Sequence, residues 1–194
     1  MTTNRLDRRT TVATLLANRK DALVVTGLGS ATYDVAASGD TPRNFYLWGA
    51  MGGTAALALG LACAQPEMSV IAVTGDGEML MGMGSFSTIA LQQPKNLTLL
   101  ILDNGLYGET GAQQSHTART DLAAVAKAAG IETVEVVETQ SDLERVKGGF
   151  PAATNGPRVI VVKIAPAEYP RLVPLREGAH AKVRMREALG LSAE

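Results

Sequence analysis

The sequence predicts an α/β fold, a parallel sheet with helices packed on both faces, and three observations carry that prediction. Short runs of consecutive apolar residues recur along the chain, among them "ALVVTG", "SVIAVTG", "LTLLIL" and "RVIVVKI". Between the runs lie longer segments whose apolar residues fall at helical spacing. Several strand ends finish on glycine, or on an acid or amide beside glycine, as at Gly27, Gly49, Gly75 and Asn104. Strands buried on both faces are apolar without alternation, and a parallel neighbour requires a crossover, which is usually a helix. Ligands of such sheets bind beyond the carboxyl ends of the strands.

The elements follow in order. Leu6, Val12, Leu15 and Leu16 among charges predict an amphipathic helix over 5–19, and "ALVVTG" predicts a strand ending at Gly27. A helix is expected from about Ser30 to Ala37, then a strand "NFYLW" and an Ala-rich helix over 53–64. "SVIAVTG" forms the next strand, followed by one helix over 78–92 and the strand "LTLLIL". Residues 103–119 read as a long loop, a length that is often functional. A helix over 121–129, a strand "TVEVV", a helix from about Ser141, a strand "RVIVVKI" and a basic C-terminal helix complete the order. Nothing in composition divides the chain, so one domain over 1–194 is expected.

Lys plus Arg is 18 and Asp plus Glu is 19, a net charge of −1 that gives no footprint for nucleic acid or for an anionic membrane. The single cysteine, Cys63, has no disulfide partner in the chain and lies in an Ala/Leu/Gly-rich stretch, which predicts a small core residue in a reducing compartment. The opening "MTTNRLDRRTT" carries charges where a signal peptide would be apolar, so the cytoplasm is the expected address. Residues 45–64 are uncharged and reach the roughly 20 residues of a membrane span. Three glycines within 49–53 break that run into strand, turn and buried helix, so no membrane span is expected.

The chemistry is concentrated in "VTGDGEMLMGMGSFSTIALQQPKNLTLLILDNGLYGETG". Asp76 offers a carboxylate, Asn104 an amide oxygen, and the backbone near Asn104 carbonyls. Mg²⁺ takes such a set, with water and a ligand's phosphates completing the octahedron. Glycine on both sides of Asp76 permits close approach of the backbone, and the following helix start offers N–H groups to a phosphate. Either motif alone reads as a turn with an N-cap. The 26 residues between Gly77 and Asn104 instead fit one strand-helix-strand unit, which returns the chain to a neighbouring strand end.

"GDG" and, after 26 residues, the Asn104 of "DN" resemble the thiamine diphosphate signature. With "RNFYLWGAMGGTAALALGLA", "PKNLTLLILDNGLYGETGAQ" and "TDLAAVAKAAGI", the chain is similar over about 5–165 to the beta subunit of sulfopyruvate decarboxylase and the matching half of phosphonopyruvate decarboxylase. The resemblance implies the diphosphate-binding domain of thiamine diphosphate enzymes. It implies Mg²⁺ held by Asp76, the Asn104 side chain and the Leu106 main-chain oxygen. In the "GAMG" turn, the Gly49 carbonyl would accept from the aminopyrimidine and Met51 would prop the bent cofactor. Gly75 and Gly77 would let the backbone close on the diphosphate, with the amides of Glu78 and Met79 as donors and no part for their side chains. Met79, Met81 and Met83 are expected to be core fillers. His116 is a candidate proton donor, with a solvated surface role as the alternative, and His180 is expected to be structural.

The implied activity is decarboxylation of a small 2-oxo acid to an aldehyde. The implied pyrimidine-binding domain, which carries the catalytic glutamate, has no room in 194 residues. A pyrimidine-binding alpha subunit in a hetero-oligomer is therefore the expected partner. An acetolactate synthase-like carboligase subunit and a non-catalytic regulatory subunit remain alternatives. Relatives of this type carry a small residue where this chain has Glu109, and Pro-Thr where it has Gln114-Ser115. A carboxylate at 109 facing the site would repel a sulfonate or phosphonate.

Overall fold

The computed structural model of the chain describes residues 5–151 and 154–192. Six parallel strands form one sheet: β1 (Leu23–Thr26), β2 (Asn44–Tyr46), β3 (Val70–Gly75), β4 (Leu97–Asp103), and two later ones at Thr133–Val137 and Arg158–Lys163. Between β4 and those later strands a small antiparallel hairpin, β5 (Leu106–Tyr107) and β6 (Gln113–Gln114), stands apart from the main sheet. The later strands are therefore β7 and β8, and the sheet order is β2-β1-β3-β4-β8-β7.

Helices α1 (Arg8–Leu16), α2 (Ser30–Ala37), α3 (Thr54–Ala64), α4 (Asp76–Met81), α5 (Ser85–Gln92), α6 (Leu122–Ala128), α7 (Gln140–Gly148) and α8 (Gly178–Ala188) alternate with the strands. Their starts are set by local chemistry. The Asp7 side chain accepts from Thr10 N, Asp121 accepts from Ala123 N and Ala124 N, and Thr139 forms a capping box with Asp142. Each such cap satisfies backbone donors that the helix leaves unpaired, and is worth about 1 kcal/mol.

The core has two layers, one on each face of the sheet. Val24, Ile71, Val73, Leu100, Leu102, Ile160 and Val162 pack with α1, α2 and α7, while their alternates Val25, Val70, Ala72, Leu99, Ile101, Val159 and Val161 pack with α3, α5 and α6. Every residue of β4 is buried, so both faces of the strand contribute, each fully buried Val, Leu or Ile adding about 1.5–3 kcal/mol. No helix among the described residues is long and apolar enough to cross a membrane.

Five expectations from sequence need correction. Leu6 is not helical: it forms a parallel bridge with Ile164, and its carbonyl accepts from Ala165 N at 2.9 Å, so α1 starts only at Arg8 behind its Asp7 cap. The helix over 78–92 is two helices, interrupted at 82–84. A Cβ on Gly82 would lie 2.2 Å from the Gly52 carbonyl oxygen, so this break and the 49–53 turn interlock backbone against backbone. Cys63 is exposed rather than a core residue, and Met81 is 62 % exposed, while Met79 is buried and Met83 packs partly against the core. The 103–119 loop is not irregular throughout, since it folds into the β5–β6 hairpin and two short helical turns, Gly108–Thr110 and His116–Ala118.

Candidate functional site

The strand order reverses at β1. From β1 the chain passes through α2 to β2 on one side, then through α3 to β3 on the other. The loops after β1 and β3 therefore splay to opposite faces and leave a crevice between them, the place where open α/β sheets bind ligands. Its first lip is Leu28 to Ala31, and its second is Gly75 to Glu78. The end of β4 closes the floor with Leu102 and Asn104, because Gly75 of β3 stands in register with Leu102.

Of the residues singled out from sequence, Met51, Gly75, Asp76, Gly77, Glu78, Asn104 and Leu106 all line this one cleft. Gly49 and His116 do not. Gly49 sits on an exposed turn ahead of Met51 with φ +74°, a conformation that favours glycine. His116 is exposed, and its Nδ1 lies 3.0 Å from the Tyr107 hydroxyl. Tyr107 itself lines the cleft, so His116 touches a lining residue without lining the cleft itself.

Asp76 is the most constrained of these groups. It is 2 % exposed, and its Oδ2 accepts from Ser115 Oγ and, at 3.2 Å, from Thr117 Oγ1. Burial pushes its carboxyl above the usual carboxylate range; the neighbouring charge of Asp103 adds to this, while hydrogen bonds from Ser115, Thr117 and the Gly77 backbone oppose it. Such a carboxylate is short of positive charge. Asp103, a charged neighbour that does not itself line the cleft, is paired instead with Lys163 Nζ at 2.5 Å and accepts from Thr117 Oγ1 at 3.0 Å. Asn104 Oδ1 accepts from Leu106 N at 2.8 Å, a local turn that fixes the amide and brings Leu106 round beside it.

The glycines have different reasons. A Cβ on Gly75 would meet nothing within 4 Å, so the cleft side of that residue is open space. A Cβ on Gly77 would lie 2.4 Å from the Tyr107 ring, so glycine there admits the tyrosine.

Glu78 overturns the expectation that its side chain plays no part. It is 5 % exposed; Oε1 accepts from Thr54 Oγ1 and Oε2 from Thr74 Oγ1 at 2.8 Å. The carboxylate occupies the space a side chain at Gly27 would fill, 1.8 Å from the Cβ position. Gly27, whose carbonyl accepts from Thr32 Oγ1 at 2.6 Å, is thereby held against the second lip. Sequence gave no signal for this contact, because Thr54 is 24 residues from Glu78 and reaches it only through the crossover.

Ser115, Thr117, Tyr107 and Arg8 carry no such signal in the sequence, whereas Glu109 stands out there as a carboxylate that could face the site. Arg8 lines the cleft while paired with the fully buried Asp34, which Arg9 Nε also approaches at 2.9 Å. Glu109 lines the cleft, with its side chain 32 % exposed. Among the described residues no group of three or more His, Cys, Asp or Glu forms a ready-made metal cage. The cleft encloses about 100 Å³, well below the roughly 300–1,000 Å³ of a complete small-molecule site.

Comparison with known proteins fits this geometry. Residues 27–162 match the family described as thiamine pyrophosphate enzyme, C-terminal TPP binding domain. The chain is 38 % identical over 161 residues to sulfopyruvate decarboxylase subunit beta of Methanococcus maripaludis, covering 83 % of this chain and 85 % of that one. It is 38 % identical over 151 residues to phosphonopyruvate decarboxylase of Streptomyces hygroscopicus, covering 78 % of this chain but 37 % of that longer protein. Among solved structures, a thiamin diphosphate-dependent enzyme from Mycobacterium smegmatis, itself described as putative, shares the fold with a TM-score of 0.69. Its identity is 24 %, and the match covers 84 % of this chain and 32 % of that one.

Proposed function

Because the chain belongs to the thiamine pyrophosphate enzymes, among the sulfopyruvate decarboxylase beta subunits and their relatives, we propose that it is the diphosphate-binding and Mg²⁺-binding subunit of a two-subunit 2-oxo acid decarboxylase that yields an aldehyde and CO₂. The observation that carries this reading is the convergence of Asp76, Asn104, Leu106 and Gly75 on one cleft at the β1/β3 crevice. The donor set fits the metal. One carboxylate short of positive charge, one amide oxygen and one main-chain oxygen leave positions for water and phosphate, as Mg²⁺ requires. The open space beside Gly75 fits the diphosphate, since a side chain there would occupy it.

In this reading Asp76, Asn104 Oδ1 and the Leu106 main-chain oxygen hold Mg²⁺. The Glu78 and Met79 amides, in the first turn of α4, donate to the diphosphate. Met51 supports the middle of the cofactor, and Gly49 faces its aminopyrimidine. When bound, the thiazolium supplies the electron sink that lets a 2-oxo acid lose CO₂. Tyr107 fixes the Gly77 turn and carries the influence of His116 to the cleft, so His116 acts in proton donation through the Tyr107 hydroxyl. A pyrimidine-binding alpha subunit provides the glutamate and the missing wall, in keeping with a cleft of about 100 Å³ and with relatives named as beta subunits. The assembly works in the cytoplasm, where the exposed Cys63 stays reduced.

Two measurements test the proposal. Asp76→Ala should abolish Mg²⁺-dependent binding of thiamine diphosphate while leaving the circular dichroism spectrum intact; unchanged affinity would refute the metal assignment. The complex of this chain with its partner should convert pyruvate or sulfopyruvate to an aldehyde and CO₂. A coupled hydroxy-oxo acid as the product would point to carboligation instead.

A further inference from the structure

Among the described residues, Glu109 is the one acid that lines both the inner cleft and an outer cleft beside it, about 360 Å³, bounded by Tyr33, Pro166 and Tyr169. The outer cleft exists because the chain beyond β8 runs back over α1, where Tyr169 bonds Asp7 and lies under Arg9 at 4.7 Å. Glu109 is fixed from below by Gly29, whose φ is +75° and whose Cβ position lies 3.0 Å from Glu109 Cγ. From outside it is paired with Arg171 at 3.5 Å, and Arg171 is 64 % exposed and lies over the Tyr33 ring.

Two cations border the clefts, and neither is free to receive an anion in the inner one. Arg8 is committed to Asp34 and to the Ala167 carbonyl. Arg171 lines only the outer cleft, and as a 64 % exposed partner at 3.5 Å it offsets the Glu109 charge only in part. Where the two clefts meet, the charge presented is therefore the Glu109 carboxylate, with Glu168 a second acid in the lining of the outer cleft. A sulfonate or phosphonate there would meet a like charge in a partly dehydrated wall, whereas an uncharged tail would meet the Tyr33 and Tyr169 rings without that cost.

Resting on the decarboxylase reading, we propose that the Glu109–Arg171 pair is the tail end of the substrate site and selects 2-oxo acids with an uncharged tail against those with a strongly anionic one. Selection works by repulsion. Arg171 moderates it by offsetting part of the Glu109 charge.

The test uses the complex with its partner subunit and compares kcat/KM for 2-oxobutanoate with that for sulfopyruvate. The wild-type complex should favour 2-oxobutanoate. Glu109→Gln and Glu109→Ser should each move the ratio about tenfold toward sulfopyruvate, and Arg171→Ala should move it the other way. A merely structural role would lower both substrates together, so the opposite directions are the signature. Wild-type preference for sulfopyruvate, or an unchanged ratio in Glu109→Gln, overturns the proposal. Release of no CO₂ from either substrate, by a complex that carries Mg²⁺ and thiamine diphosphate, overturns the decarboxylase reading and the selection with it.

Discussion

Glu78 is the residue on which the two lips of the cleft depend. A buried carboxylate is tolerated only when hydrogen-bonded, and Thr54 and Thr74 supply the donors from two different elements. Thr74→Val removes one donor and should cost about 1–3 kcal/mol in urea unfolding, since the acceptor stays buried without its partner. Gly27→Ala should cost at least as much, because the added methyl would fall on the Glu78 carboxylate, 1.8 Å away, and force it out of its threonine bonds. A Gly27→Ala variant with the wild-type midpoint would mean that Glu78 can leave without loss. Gly77→Ala should behave differently. It displaces the Tyr107 ring, so cofactor affinity should fall more than stability does, as titration calorimetry beside thermal unfolding would report.

Among the elements, the interrupted helix and the C-terminal helix are informative. Periodicity over 78–92 permits one continuous helix, and the break at 82–84 is imposed by the 49–53 turn, which needs the Gly82 backbone bare. Helix α8 is tied to β2 by Arg184, which pairs with Asp40 at 2.8 Å and donates to the Asn44 carbonyl at 2.9 Å. Burial pushes the Asp40 carboxyl up, but its bonds from Arg184 and Tyr46 outweigh that and hold it below the usual range. A carboxyl lowered by folding contributes stability that is complete above its unfolded pKa of about 3.9 and is lost as pH falls through the folded value. Amide protection in α8 should therefore drop on acidification below about pH 4. In Arg184→Gln it should already be low at neutral pH, with the acid step gone; an acid step that survives in this variant would assign it to another group.

At the scale of the molecule, the cleft at the β1/β3 crevice is small, about 100 Å³, and in the function proposed above a partner subunit supplies the opposing wall. The chain alone should bind thiamine diphosphate and Mg²⁺ far more weakly than the complex, because about 100 Å³ cannot enclose the cofactor. Chelation with EDTA should release thiamine diphosphate from the complex, since Asp76 and the diphosphate are both anionic and need the cation between them. Equal affinity with and without the partner would show that the second wall is unnecessary.

The sequence by itself determined the fold class, the order of the sheet-forming runs and the resemblance to thiamine diphosphate enzymes. Those features are local, because an apolar strand, its terminal glycine and a fixed crossover length are written in consecutive residues. It also marked Glu109 as a charge out of place. The tertiary structure alone decided where that charge points, that Tyr107 rather than a ligand fills the space at Gly77, and that Ser115 and Thr117 hold Asp76. The physical reason is the same in each case. Side chains distant in sequence meet only when crossovers bring the ends of β1, β3 and β4 together, and no spacing along the chain encodes which of them will touch.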